Sequence, residues 1–102
     1  MNRIESPDGK VEAVLMQSDG GATTSYGYSI FIVPKGRSIE KKTNPVFLSD
    51  HTRGLRFGWD APKKLGIYYV EARIFRFTNF WQHRDVDNFK YEVKITESEQ
   101  PL

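Results

Sequence analysis

The chain contains no cysteine, which excludes a disulfide framework, a thiolate zinc site and a cysteine nucleophile. It also lacks any window approaching the roughly 18 apolar residues of a membrane-spanning helix, and Met1-Asn2-Arg3-Ile4-Glu5-Ser6-Pro7 offers no apolar stretch of signal-peptide length. A charge excess of either sign is missing too. The 15 basic and 13 acidic side chains are interspersed and leave a formal net charge of +2, the pattern of an ordinary solvated surface. Nucleic acid is therefore not the expected partner. As given, the chain is expected to be soluble and cytoplasmic, or to belong to a bacterial envelope if a leader has been removed. Its 102 residues suit one domain, 1–102, with a single core that needs neither disulfide nor metal. Residues 1–5 and the polar, acidic tail 97–102 are expected to fray.

Turn and strand signals are plentiful. In Ser6-Pro7-Asp8-Gly9-Lys10, Pro7 pre-sets φ for a turn, Asp8 can bond its own backbone, and Gly9 takes a φ > 0 position without steric cost. The strand Val11 to Met16 follows. Asp19-Gly20-Gly21-Ala22-Thr23-Thr24 then leads into a second strand from Ser25 to Pro34, and one of Gly20 or Gly21 is also expected at φ > 0. Further strands are read at Val46-Phe47-Leu48, at Leu55 to Trp59, along a single long stretch from Leu65 to Phe77, and at Phe89 to Thr96. Ser38 to Asn44 reads as a surface loop. The fold class is all-β, a small antiparallel sandwich or open barrel of about six strands with no substantial helix. Leu55, Phe57 and Trp59 alternate with polar residues, as do Val93 and Ile95, so these five are expected in one core.

Trp59 and the Pro-containing turn Asp60-Ala61-Pro62-Lys63-Lys64-Leu65 echo the Ser6 to Val11 segment, and together resemble a single blade of bacterial propeller proteins. The chain is too short for a propeller, which needs several blades of roughly 40 residues each. Ser6-Pro7-Asp8-Gly9-Lys10, Asp19 to Thr24 and the Ile30-Phe31-Ile32-Val33-Pro34 strand, at this spacing, also resemble a family of small uncharacterised bacterial β proteins. Its members carry a Ser-Pro-Asp-Gly-Lys turn and a Cys-Gly-Ala-Thr-Thr segment, often behind a lipoprotein or membrane leader. The likeness covers residues 6 to 34. This chain has Gly20 where the family places cysteine. The resemblance implies a fold and brings no agreed activity.

Four groups of residues could carry chemistry. His51 beside Asp50, with Thr52 and Arg53, could orient a nucleophile, but adjacent loop residues point different ways and no nucleophile elbow is present; a solvated loop histidine is expected. His83, Asp85 and Asp87 alternate like cation ligands, yet Arg84 interrupts them and most of a coordination shell would stay unfilled; a polar hairpin tip is expected. The Gly20 to Ser25 segment exposes backbone donors and the Thr23 and Thr24 hydroxyls, but lacks the lysine and the following helix of a phosphate loop. The densest feature is aromatic. Phe75, Arg76, Phe77, Phe80 and Trp81 crowd together with Arg73 and Arg84 on either side; core and sheet-edge packing is expected for most of these rings, a protein or ligand patch is the next reading, and consecutive Phe80 and Trp81 cannot both enter one core from extended backbone.

The leading expectation is a non-enzymatic binding or interaction module whose contacts are Arg76, Phe80, Trp81, Arg84, Thr23 and Thr24. Its partner is a protein or a small ligand, with self-association as a further option. No cofactor and no metal is expected. The alternatives are a single-stranded nucleic-acid-binding barrel, whose bases would stack on the aromatic run, and a small hydrolase using His51.

Overall fold

The computed structural model describes residues 2–18 and 27–101. Nine strands occur among them: β1 Asn2–Glu5, β2 Val11–Ser18, β3 Gly27–Pro34, β4 Phe47–Arg53, β5 Arg56–Ala61, β6 Lys64–Tyr69, β7 Glu71–Phe77, β8 Phe80–Trp81 and β9 Val93–Glu99. They form a five-stranded sheet ordered β1-β2-β3-β4-β7 and a four-stranded sheet ordered β5-β6-β9-β8. The protein is an all-β sandwich, not a closed barrel. No helix among the described residues is long and apolar enough to cross a membrane.

The period-two pattern explains the layering. In β2 and β3, Val11, Ala13, Ile30 and Ile32 face inward and meet Leu65, Ile67, Val93 and Ile95 from the opposite sheet, with Phe47 and Tyr91 fully buried among them. Outside the first sheet, Val14, Phe31 and Val33 form a second, smaller cluster capped by Ile39 from the 35–46 loop. That loop is therefore a lid over apolar side chains. Leu55, Phe57 and Trp59 do pack on the main core, but only half-buried, because β5, which carries Phe57 and Trp59 and follows Leu55, is the edge strand of its sheet.

Several elements depart from the sequence reading. The single strand expected from Leu65 to Phe77 is two strands in different sheets. Leu65, Ile67 and Tyr69 point inward in β6 but Ala72 and Ile74 do so in β7, so the inward set shifts parity around Val70 as the chain changes sheet. The sandwich is also not wholly antiparallel, since β6 and β9 pair in parallel from Lys64↔Lys94 to Tyr69↔Glu99. The last strand begins at Val93, not Phe89. The ends are tied down more than expected: Asn2–Glu5 pairs with β2, and Glu97 to Glu99 belong to β9.

The Ser6 to Lys10 turn is the tightest polar feature. The Gly9 amide donates to the Ser6 carbonyl at 2.9 Å, and Gly9 has φ of 73°, as its role required. Gly20 and Gly21 lie outside the described residues. Ser6 is buried, and its hydroxyl donates to Asp8 at 2.7 Å. The other Asp8 oxygen accepts from the buried Tyr91 hydroxyl at 2.6 Å, which also lies 3.1 Å from the Pro62 carbonyl. Burial pushes the Asp8 carboxyl up, but hydrogen bonds from Tyr91, Ser6 and the Lys10 amide outweigh it and hold it below its ordinary value. Burial and the neighbouring Asp8 push the Tyr91 phenol up to about 12. The turn is thus bolted to Tyr91, two residues before β9.

Between β8 and β9, Val86 is buried, while Asp87, Asn88 and Phe89 all take left-handed backbone with φ of 51°, 50° and 68°. Non-glycine residues in this region cost roughly 1–2 kcal/mol each. Ion pairs anchor the segment: Lys10 to Asp87 at 3.0 Å and Arg37 to Asp85 at 2.9 Å.

Candidate functional site

β7 is the edge of the five-stranded sheet and β8 the edge of the four-stranded one, so the chain crosses the open side of the sandwich between them. The crossing is sharp. The Thr78 amide still donates to Val46, the residue before β4 of the first sheet, at 2.8 Å, whereas the Asn79 carbonyl already accepts from Ile95 of the second, also at 2.8 Å. Register then sets where each aromatic points. Phe80 pairs with Lys94, whose neighbours Val93 and Ile95 are buried, so Phe80 lies on the outer face of the second sheet. Phe77 pairs with buried Phe47 and faces the open side between the sheets. Phe75 sits on the outer face of the first sheet under the Arg73 guanidinium, 5.2 Å from its ring centroid. The three rings wrap one edge of the molecule, with exposures of 58% for Phe75, 37% for Phe77 and 45% for Phe80.

The expected contact residues divide. Arg76 and Phe80 belong to this edge, and Arg76 has neither ion pair nor side-chain hydrogen bond among the described residues. Trp81 is turned inward, half-buried against the core and stacked on His83 at 5.8 Å. Arg84 is exposed on the following loop, 3.8 Å from the Asp85 carboxylate. Thr23 and Thr24 lie outside the described residues. The prominence of Phe75 and Phe77 is a product of the chain's change of sheet, which strips β7 of a second neighbour.

No protein-family model, no curated protein and no solved structure matches this chain.

His51 stands at a β4 bulge with φ of 49°, its Nδ1 3.0 Å from Asp50. Asp50 is clamped from the other side by Arg73, whose Nε and Nη2 donate to its two oxygens at 2.7 and 2.6 Å. The Ser49 and Thr52 hydroxyls bond each other at 2.7 Å. The Asp50–Arg73 pair ties β4 to β7 across the bulge. Hydrogen bonding from Arg73, reinforced by His51, outweighs desolvation and draws the Asp50 carboxyl from 3.8 down to about 2. A depressed carboxyl stabilises the fold above its unfolded pKa and loses that contribution as pH falls through the folded one. In an Asp50→Asn variant, the loss of stability between pH 4 and 2 should be shallower than in the parent, as read from thermal melts across that range. Superimposable acid limbs would show that the clamp contributes nothing.

The His83, Asp85 and Asp87 alternation serves the closing loop, with the two carboxylates committed to Arg37 and Lys10. No group of three or more ligating side chains among the described residues is arranged to hold a metal.

Proposed function

We propose that this protein is a non-enzymatic interaction module whose contact surface is the aromatic edge around the β7–β8 crossing. The observation that carries the reading is the exposure of Phe75, Phe77 and Phe80 around Arg76, which has no ion pair among the described residues. Large apolar rings left in water around one edge raise the free energy of the isolated chain, and aromatics with arginine dominate the energetics of protein contacts. The edge position adds a second reason. The outer margin of β7 offers unpaired backbone groups, while the bulge between Leu48 and Ser49 and the arginines discourage indiscriminate strand pairing. Such a surface suits a protein partner that covers the rings and pairs Arg76 with a carboxylate.

A photo-crosslinking phenylalanine analogue at position 75, introduced in the cells that make the protein, should capture a discrete partner. The same analogue at Lys41, an exposed position on the 35–46 loop, should not. Equal labelling from both positions, or none from position 75, would overturn the assignment.

A further inference from the structure

The outer face of the second sheet carries a charge arrangement that the small net charge conceals. Leu65, Ile67, Val93 and Ile95 point into the core, so their neighbours Lys64, Gly66, Tyr68, Lys94 and Thr96 point out. The parallel register places Lys64 directly beside Lys94, and the antiparallel register places Lys94 directly beside Phe80. The result is a cross-strand row of ammonium, ammonium and aromatic ring, all exposed. Like charges side by side on neighbouring strands are destabilising in the absence of an anion. Neither lysine has an ion pair among the described residues.

Around this row the surface is open and shaped. Lys63, Asn79, Phe80, Glu92, Val93 and Lys94 line an open cavity of about 410 Å³, in which Glu92 is the one acidic member. Toward the other end of the sheet, Gly58 pairs with Gly66, and a Cβ at Gly58 would meet nothing within 4 Å, so the floor there is low. Tyr68 leans over Gly66, where a side chain would collide with its phenol, and its hydroxyl donates to Asp60 at 2.8 Å, engaging that carboxylate. Arg56 lies 6.0 Å from the Tyr68 ring centroid. One sheet face thus presents two rings, three cations, Arg56, Lys64 and Lys94, and the Asp60 carboxylate held by Tyr68, over a stretch of roughly 13 Å along β6 at the usual strand rise.

We infer that this face binds single-stranded nucleic acid, with phosphates on Lys64 and Lys94 and a base stacked on Phe80. Alternating rings and cations on an uncurled sheet face suit a strand whose bases are splayed out, because stacking accepts any base while the ammonium groups follow the backbone. A duplex hides its base faces and could use only the lysines. The site shares Phe80 with the interaction edge proposed above and otherwise stands on different residues.

The test is fluorescence anisotropy of a short labelled oligothymidylate titrated with the intact protein at two salt concentrations. Binding is expected to be saturable, with a log–log salt slope of about −1.4 for the two phosphates held by Lys64 and Lys94. Lys64→Glu with Lys94→Glu should abolish it, and Phe80→Ala should weaken it about tenfold through lost stacking. All three positions are exposed, and unchanged thermal melts would show that the variants fold. Absence of binding at low salt, equal binding by the double lysine variant, equal binding of a duplex of the same length, or equal displacement by polyglutamate would each overturn the inference. The last outcome would point to an acidic protein segment.

Discussion

Truncating Phe47 to alanine should remove about 3 to 5 kcal/mol of stability, a large share of the roughly 5 to 15 kcal/mol that holds a domain of this kind together. Phe47 is fully buried, lies at the middle of the sandwich and sets its ring 6.4 Å from that of Tyr69 on the opposing sheet. It sits where β3, β4 and β7 converge, paired with Ile30 on one side and Phe77 on the other. A void there has three strands around it and little freedom to close. Urea denaturation of the variant would measure the loss. Phe57→Ala makes the comparison informative: Phe57 is half-buried on an edge strand and should cost distinctly less. Equal losses would contradict the packing described for both.

Tyr91 should be nearly as sensitive, for a mixed reason. Its ring is fully buried and is flanked by the ammonium groups of Lys63 and Lys10 at 5.0 and 5.6 Å from the centroid. Tyr91→Ala is expected to cost about 3 to 5 kcal/mol as cavity and lost hydrogen bond combine. Tyr91→Phe keeps the ring and removes only the hydroxyl that Asp8 and Pro62 share, so about 1 to 2 kcal/mol is expected. The ordering of the two variants in urea is the check. If phenylalanine proved as damaging as alanine, the polar bolt and not the packing would hold this corner. If alanine were tolerated, Tyr91 would not be the buried post described here.

Much of the fold is legible in local chemistry. The Ser6 to Lys10 turn specifies its own geometry, because proline, aspartate and glycine each meet one backbone demand. β9 follows from alternation, and β2 and β3 from their turn-bounded apolar runs, which in β3 are buried on both faces. The failures have a common origin in tertiary arrangement. Leu65 to Phe77 reads as one strand because every residue in it tolerates extended backbone, and nothing local says that the chain leaves one sheet for the other near Val70. The parallel pairing of β6 with β9 is invisible for the same reason, since parallel partners need have no turn between them. β1 escapes notice because Asn2-Arg3-Ile4-Glu5 has one apolar side chain, and pairing with β2 supplies the rest.

The candidate site divides along the same line. That Phe80 and Trp81 must part company is deducible from their adjacency, and the structure sends Trp81 inward and Phe80 out. The exposure of Phe75 and Phe77 depends on β7 being an edge. The Lys64, Lys94 and Phe80 row is assembled from three strands far apart in sequence. Composition can report only the total charge, and here the total averages over the row.

The position of β9 bears on the order in which the molecule assembles. The first sheet is built from neighbours in sequence for most of its width, β1 with β2, β2 with β3 and β3 with β4, so its hairpins close over short distances. The second sheet is different. β9 is its third strand and lies between β6 and β8, yet it follows every other strand in the chain. Until it inserts, β8 has no partner in that sheet, and β5 and β6 form a lone hairpin of marginal stability. Folding should therefore proceed in two unequal stages, an early sheet with its inner face still wet and a late closure that waits on a parallel, long-range contact. A chain caught before that closure would leave Ile30, Ile32 and Phe47 uncovered, so aggregation would start from such a species rather than from the native sandwich.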